Sequence, residues 1–282
     1  MPRKSISISI LRYKPSLIVI ACLTIIGINL IGAAFVPWIA PYDEAAIIGD
    51  VWAPPGPGAL LGTDYLGRDM LSRLLYGGRL TIGLALMATA IAFVIGVGLG
   101  TASAASARWI DAVLSRTVDL LMAIPQLILA LVVISVLGTS LPVLIGTIAL
   151  LDATRLFRIS RSVALNIVAL EYTEAARLRG EGVWWIVRRE VLPNVIPPLI
   201  AELGYRFCSA FLFISSLSFL GLGVQPPNAD WGSMVRDNAT AIALGSYAPM
   251  IPAMAITLFA ISISLLVDWF ISIHERSHKE SA

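Results

Sequence analysis

The chain has 282 residues, 57% of them hydrophobic and only 13% charged, and its mean hydropathy is +0.85. Apolar runs of about 20 residues recur along it, which excludes a soluble globular domain and points to an all-α polytopic membrane protein. The net charge of +2 is too small and too evenly mixed to indicate a nucleic-acid partner, so what matters is where along the chain the positive charges fall.

The N-terminus is basic, with Arg3, Lys4, Arg12 and Lys14. The apolar stretch that follows, 16–36, exceeds the roughly 7 to 15 residues of a secretory signal core, so it reads as a retained first span. Hydropathy places six transmembrane helices near 17–37, 80–103, 118–138, 141–160, 195–222 and 251–272. The third contains Pro125 in "LLMAIPQLILALVV", read as a kink within one span, and "GTSLP" joins the third and fourth as a tight hairpin. Cys22 and Cys208 sit far apart inside apolar runs and indicate neither a disulfide framework nor a metal site.

Just before the second span, "LLGTDYLGRDMLSRLLYGGR" (60–79) mixes the turn formers Gly62 and Gly67 with Asp64, Arg68 and Asp69. Two readings fit: an interfacial cap whose charges mark the water boundary, or a surface for a partner on the outer side. After the fifth span, "LSFLGLGVQPPNADWGSM" (217–234) carries Gly221 and Gly223, which permit close packing near an outer gate. Gln225 follows, then Pro226 and Pro227, which end the span, and Trp231, read as an interface anchor.

Lys and Arg concentrate in alternate connections. One set holds the N-terminal cluster, Arg108, Arg116, Arg155, Arg158, Arg161, Arg177, Arg179, Arg188, Arg189, Arg276 and Lys279; the other holds only Arg68, Arg73, Arg79 and Arg236. Both termini are therefore expected in the cytoplasm. The division expected is 1–79 for the tail, first helix and extracytoplasmic segment, 80–273 for a core of five helices, and 274–282 for a cytoplasmic tail.

Charge in the apolar surroundings is concentrated in "EYTEAARLRGEGVWWIVRREVLPN" (171–194), on the cytoplasmic side. It reads as two short helices broken at "GEG", where Gly180 and Gly182 permit a sharp turn, with Pro193, Pro197 and Pro198 marking the passage into the fifth span. Ala175 and Ala176 are small enough for another backbone to approach, and Glu171, Glu174, Arg177 and Arg179 surround them. By residue type alone this is either a docking surface or a solvated pair of helices on the lipid surface.

Four charges fall at membrane depth, Asp152, Glu202, Arg206 and Asp268, and each should face protein or a water-filled path. Glu202 and Arg206, spaced i, i+4, are either a same-helix ion pair or a contact on a translocation path. Asp152 and Asp268 read as structural. His274 and His278 have a helical metal-ligand spacing but no third ligand nearby, so a solvated tail is the reading preferred, with no metal and no cofactor called.

"EAARLRG" followed, twelve residues after Gly180, by Leu192 and Pro193 resembles the EAA motif of permease subunits of ATP-binding cassette (ABC) importers. With 60–79 and 217–234, the chain resembles the dipeptide, oligopeptide and nickel permease family, DppC/OppC type, over nearly its whole length. Glu190 stands where the general motif has Ile, and Arg179 stands beside the Gly where an apolar residue is usual; neither alters the Gly-to-LP spacing.

The resemblance implies a type I ABC importer permease in a bacterial cytoplasmic (inner) membrane. Glu174, Ala175, Ala176, Arg177, Gly180, Leu192 and Pro193 would couple it to the ATPase. Asp64, Gly67, Arg68, Asp69, Gln225 and Trp231 would serve the binding protein and outer gate. The implied partners are a second homologous permease in a heterodimer, two ATPase subunits, an extracytoplasmic solute-binding protein and membrane lipid.

The chain itself has no G-x-x-x-x-G-K-[ST] loop, and its lysines, Lys4, Lys14 and Lys279, lie beside no Gly-rich loop, so ATP hydrolysis is assigned to another polypeptide and the chain is not an enzyme. Small peptides lead as the solute, with opines, nickel complexes and oligosaccharides as alternatives. A stand-alone secondary transporter would instead spread functional charges over several spans and show inverted repeats, for which there is no sequence sign.

Overall fold

The computed structural model describes residues 16–279 and is helical apart from isolated bridges between extended residues. The basic cluster at 3–14 lies outside the described residues, as do the side chains of His274 and His278. In chain order the helices are α1 (Leu17–Ala34), α2 (Val36–Ile39), α3 (Met70–Ala105), α4 (Arg108–Ala123), α5 (Gln126–Leu137), α6 (Leu141–Val168), α7 (Glu171–Leu178) and α8 (Val183–Ile186). A π-helical turn, Val187–Val191, leads into α9 (Leu192–Phe219). Then come α10 (Trp231–Asp237), a 3₁₀ turn Ala239–Leu244 and α11 (Met250–Lys279).

Among the described residues four helical stretches are long and apolar enough to cross a membrane: Leu17–Ala34, Met70–Ala105, Val183–Phe219 and Met250–Ile273. A fifth crossing is present if α4 and α5 count as one broken span. These two are bent by 90° at Ile124 and Pro125, so the stretch expected as one kinked span is two helices. The cause is local: proline disfavours helical geometry in the residue before it, and Ile124 is extended with φ −86° and ψ 130°.

The stretch 141–160 is helical as expected but carries Asp152, Arg155 and Arg158, too polar to face lipid. Protein covers part of it: α4, α5 and α9 all pack on α6, whose Leu144, Ile148, Asp152, Leu156 and Phe157 are buried, while Arg158 is exposed.

By contact the chain divides into two compact units, one of residues up to Leu80 with those from Pro227 onward, the other Thr81–Pro226. In the first unit α1 and α11 pack side by side. Ser16 caps α1, its Oγ accepting the Val19 N–H at 3.4 Å. Most of α1 is apolar and outward-facing, including Leu17, Ile18, Ile28 and Ile31, as suits a helix against hydrocarbon.

The second unit depends on close helix approach. A Cβ on Gly96 would lie 2.7 Å from the Ala153 carbonyl oxygen, and one on Gly100 would lie 2.7 Å from that of Phe157. This Gly-x-x-x-Gly pair lets α3 press against α6, and Ser160 Oγ donates across the contact to the Gly96 carbonyl at 3.2 Å.

Candidate functional site

The charged element begins at α7, where Leu170 is extended and Thr173 Oγ1 donates to the Ile167 carbonyl at 3.1 Å, tying the first turn back to α6. The helix ends in a complete Schellman motif: Gly180 N–H donates to the Arg177 carbonyl at 2.9 Å and Glu181 N–H to that of Ala176 at 3.2 Å. Gly180 takes φ +82°, the left-handed geometry this ending needs, whereas Gly182 is extended at φ −74° and any residue would fit there. The reversal therefore rests on one glycine of "GEG".

The two alanines face opposite ways. Ala176 is fully buried with Ala164, Ile167, Ile186, Val191 and Val195, so its small side chain lets α7 seat on the bundle. Glu174, Ala175, Arg177 and Leu178 are exposed, Leu178 by 84%. Arg177 Nη2 also donates to the Ala105 carbonyl at the end of α3, 3.3 Å away, where a cation complements the helix dipole. What results is a short polar helix with one apolar edge inward and an outward face on which Glu174, Ala175 and Leu178 are exposed.

Beyond Gly182 the chain runs helically from Val183 to Phe219, through the prolines that mark the passage into the fifth span. The π-helical turn, where Leu192 N–H bonds to the Val187 carbonyl, precedes Pro193, and Pro197 and Pro198 lie inside α9. Asn194 Nδ2 adds a side-chain donor to the Glu190 carbonyl at 2.6 Å. Leu192 is half-buried and Pro193 exposed.

A second constellation lies in the first unit. Asp64 is 1% exposed, and its Oδ1 accepts the N–H groups of Leu66 and Arg68 at 2.8 and 3.0 Å. Its Oδ2 accepts from Arg68 Nε at 2.8 Å and pairs with Arg73 Nε at 3.2 Å. Asp69 Oδ2 caps α3, taking the Ser72 N–H at 2.8 Å and Oγ–H at 2.6 Å. Gly67 has φ +75°, and a Cβ there would collide with the Gly49 carbonyl.

Trp231 is also interior, with its Nε1–H donating to the Leu74 carbonyl at 2.8 Å and its ring edge-on to Phe259. The structure thus places Asp64, Arg68, Asp69 and Trp231 inside the fold, not on its surface or at a lipid interface. Asp64 and Arg68 pair with each other, Asp69 is bonded by Ser72 and the indole by backbone, which offsets the cost of their burial although Arg68 Nη2 makes no hydrogen bond. Gln225 is half-buried and donates to the carbonyls of Gly221 and Gly223 at 3.1 and 3.0 Å. Gly221, at φ +87°, closes α9 in the same manner as Gly180 closes α7.

At membrane depth Arg206 Nε donates to Glu202 Oε1 at 2.7 Å, the expected same-helix pair. Asp152 on α6 stands 4.0 Å from Arg206 Nη1. A further pair was not read from the sequence: Arg161 on α6 grips Asp111 on α4 through two bonds of 2.5 Å, with Ser103 Oγ donating to the same carboxylate at 2.6 Å. The Gly96 and Gly100 contact was also unread, although its spacing is visible in the sequence.

Four helical stretches long and apolar enough to cross a membrane, or five with the broken pair, define a polytopic membrane protein among the described residues. The family model described as "Binding-protein-dependent transport system inner membrane component" matches residues 92–280, and the chain belongs to this family. It is 35% identical over 243 residues to the di/tripeptide transport system permease protein DppC of Pseudomonas aeruginosa, covering 84% of this chain and 80% of that one. It is 34% identical over 258 residues to the probable D,D-dipeptide transport system permease protein DdpC of Escherichia coli, covering 90% and 86%. The glutathione transport system permease protein GsiD of Pectobacterium atrosepticum is 30% identical over 242 residues, covering 85% and 80%. Among solved structures, an amino acid ABC transporter crystallised with histidines aligns at TM-score 0.52 and 19% identity, covering 71% of this chain and 93% of that one, a likeness of fold.

Proposed function

We propose that this chain is the permease subunit of a binding-protein-dependent ABC importer for small peptides and forms half of the translocation path. Relatives at 30 to 35% identity carry names that specify di- and tripeptides, D,D-dipeptides and glutathione, all short peptides. In this reading the chain crosses the bacterial inner membrane six times, with α4 and α5 as one broken crossing, α6 as one partly covered by protein and both termini in the cytoplasm. A homologous permease completes the path, two ATPase subunits supply the energy, and a solute-binding protein delivers the peptide.

The observation that carries the reading is the outward face of α7. Glu174, Ala175, Arg177 and Leu178 are exposed on a helix whose inner edge and ending are fixed by Ala176 and Gly180. A rigid element of this kind can transmit a push, because its position relative to α6 and α9 is set by packing and not by a flexible tether. Glu174, Ala175, Arg177, Gly180, Leu192 and Pro193 are proposed as the ATPase-coupling residues. In the outer segment the buried Asp64, Gly67, Arg68 and Asp69 are proposed to hold the shape of the surface that the binding protein meets.

The test is co-purification with the cognate permease and ATPases, followed by ATP hydrolysis with and without the cognate binding protein and a dipeptide. Stimulation by loaded binding protein is expected. Uphill uptake by the chain alone would overturn the proposal.

A further inference from the structure

Arg206 sits between two carboxylates on two helices. It is bonded to Glu202 on α9 at 2.7 Å and reaches toward Asp152 on α6, with 4.0 Å between Nη1 and Oδ1. Asp152 has a side chain 1% exposed, and no hydrogen bond reaches either of its oxygens; Arg206 Nη1 is likewise unbonded. Arg155, three residues along α6, adds a second positive charge to the surroundings of Asp152. A buried carboxylate whose oxygens accept no hydrogen bond is costly, and the long 4.0 Å pair with Arg206 offsets that only in part. Glu202, 20% exposed, depends less on the guanidinium.

Closing the gap to a charge-assisted bond of about 2.8 Å needs a relative shift of only about 1 Å. Shifts of one to two ångströms are the ordinary scale of helix sliding. The position of the cluster matters as much as its chemistry. α6 runs directly into α7, and α9 emerges from the helical stretch that follows Gly182, so the charges join the two helices that flank the charged element.

We infer that Asp152 is a positioning residue for transport. It is the second acceptor of Arg206, and exchange of Arg206 between Glu202 and Asp152 latches α6 to α9 in one state of the cycle and releases them in the other. The inference rests on the permease reading above. It distinguishes Asp152 from a merely structural charge, since two discrete arrangements of one ion-pair network are what coupling between distant parts of a protein requires.

The experiment uses the complete transporter in lipid vesicles, with partner permease, ATPases and binding protein, and reads dipeptide taken up per ATP hydrolysed. Asp152→Asn is expected to keep ATP hydrolysis while that ratio falls at least about fivefold, and Asp152→Glu, which restores an acceptor, is expected to recover most of it. A structural charge would instead lower thermal stability and yield without moving the ratio. If Asp152→Asn fails to assemble, the neutral pair Asp152→Asn with Arg206→Gln serves, and its ratio is expected to stay low. A wild-type ratio in either variant overturns the latch while leaving the permease reading intact. Absence of ATP-driven uptake by the wild type overturns both.

Discussion

The indole of Trp231 lies across Gly78, so that a Cβ at that glycine would stand 2.8 Å from Trp231 Cζ2. The ring cannot move away easily, being bonded through Nε1 to the Leu74 carbonyl and set edge-on against Phe259 with centroids 6.1 Å apart. Gly78→Val should therefore lower the thermal midpoint of the detergent-purified protein, by an overpacking cost of about 1 to 3 kcal/mol. Gly83→Ala, with nothing near its would-be Cβ, is the matched control and should leave the midpoint unchanged or raised. Equal midpoints for the two variants would show that the indole does not depend on Gly78.

Gly180 and Gly182 make a sharper pair of controls, because they differ in backbone and not in crowding. Neither has an atom within 4 Å of a would-be Cβ, but only Gly180 has positive φ, at +82°. Gly180→Val forces a branched residue into the left-handed region, at a cost of about 1 to 2 kcal/mol, and should loosen the end of α7. The expected result is weaker retention of the ATPase on co-purification with membrane insertion intact. Gly182→Val should retain it. Loss of retention in both variants would point to surface contact in place of helix-end geometry.

Asp64 serves two buried arginines, Arg68 and Arg73, whose side chains are 7% and 4% exposed. Asp64→Asn leaves both cations in a dry site without their carboxylate, and breaking a buried pair in this way typically costs about 3 to 5 kcal/mol. Asp69→Asn keeps an acceptor for Ser72 at the start of α3 and should cost about 1 kcal/mol or less. Yield and thermal midpoint of the two variants provide the comparison. A milder effect at Asp64 than at Asp69 would mean that water reaches the arginines.

Much of this was legible in the sequence, for definite reasons. Gly180 could be singled out because a glycine after a charged amphipathic stretch is the commonest way to end a helix, and the structure gives it that geometry. The charges of 60–79 were recognisable as special, but not as buried. An aspartate facing water and one enclosed by two arginines read alike until the partners are placed, and Arg73, the second cation, had been counted only as an outer charge. Pro125 announced a kink, yet no local rule fixes its angle at 90°. The 141–160 stretch was taken as an ordinary span because its apolar residues were weighed without the neighbours that cover Asp152 and Arg155. Pro197 and Pro198 mark the passage into the fifth span, and α9 contains them within a helix that begins at Leu192.

Asn238 joins three parts of the first unit through one amide. Its Oδ1 accepts from Trp52 Nε1 at 3.1 Å and from the Tyr65 N–H at 3.0 Å, while its Nδ2 donates to the Met234 carbonyl at 2.8 Å. Trp52 needs such a restraint: it is the one non-glycine residue with positive φ among those described, at 52°, a conformation costing about 1 to 2 kcal/mol. Its backbone N–H is held by the Asp64 carbonyl at 3.1 Å, and Asn238 holds the other end of the residue. Asn238→Ala should leave two donors unpaired, each worth about 1 to 3 kcal/mol, and let the segment around Trp52 relax. Trp52→Phe removes one of those donors, so it should cost less in the Asn238→Ala background than in the wild type. A double-mutant cycle on the thermal midpoint should show coupling of about 1 kcal/mol between the two sites. Additive losses would mean that Trp52 is held in its left-handed conformation without the help of Asn238.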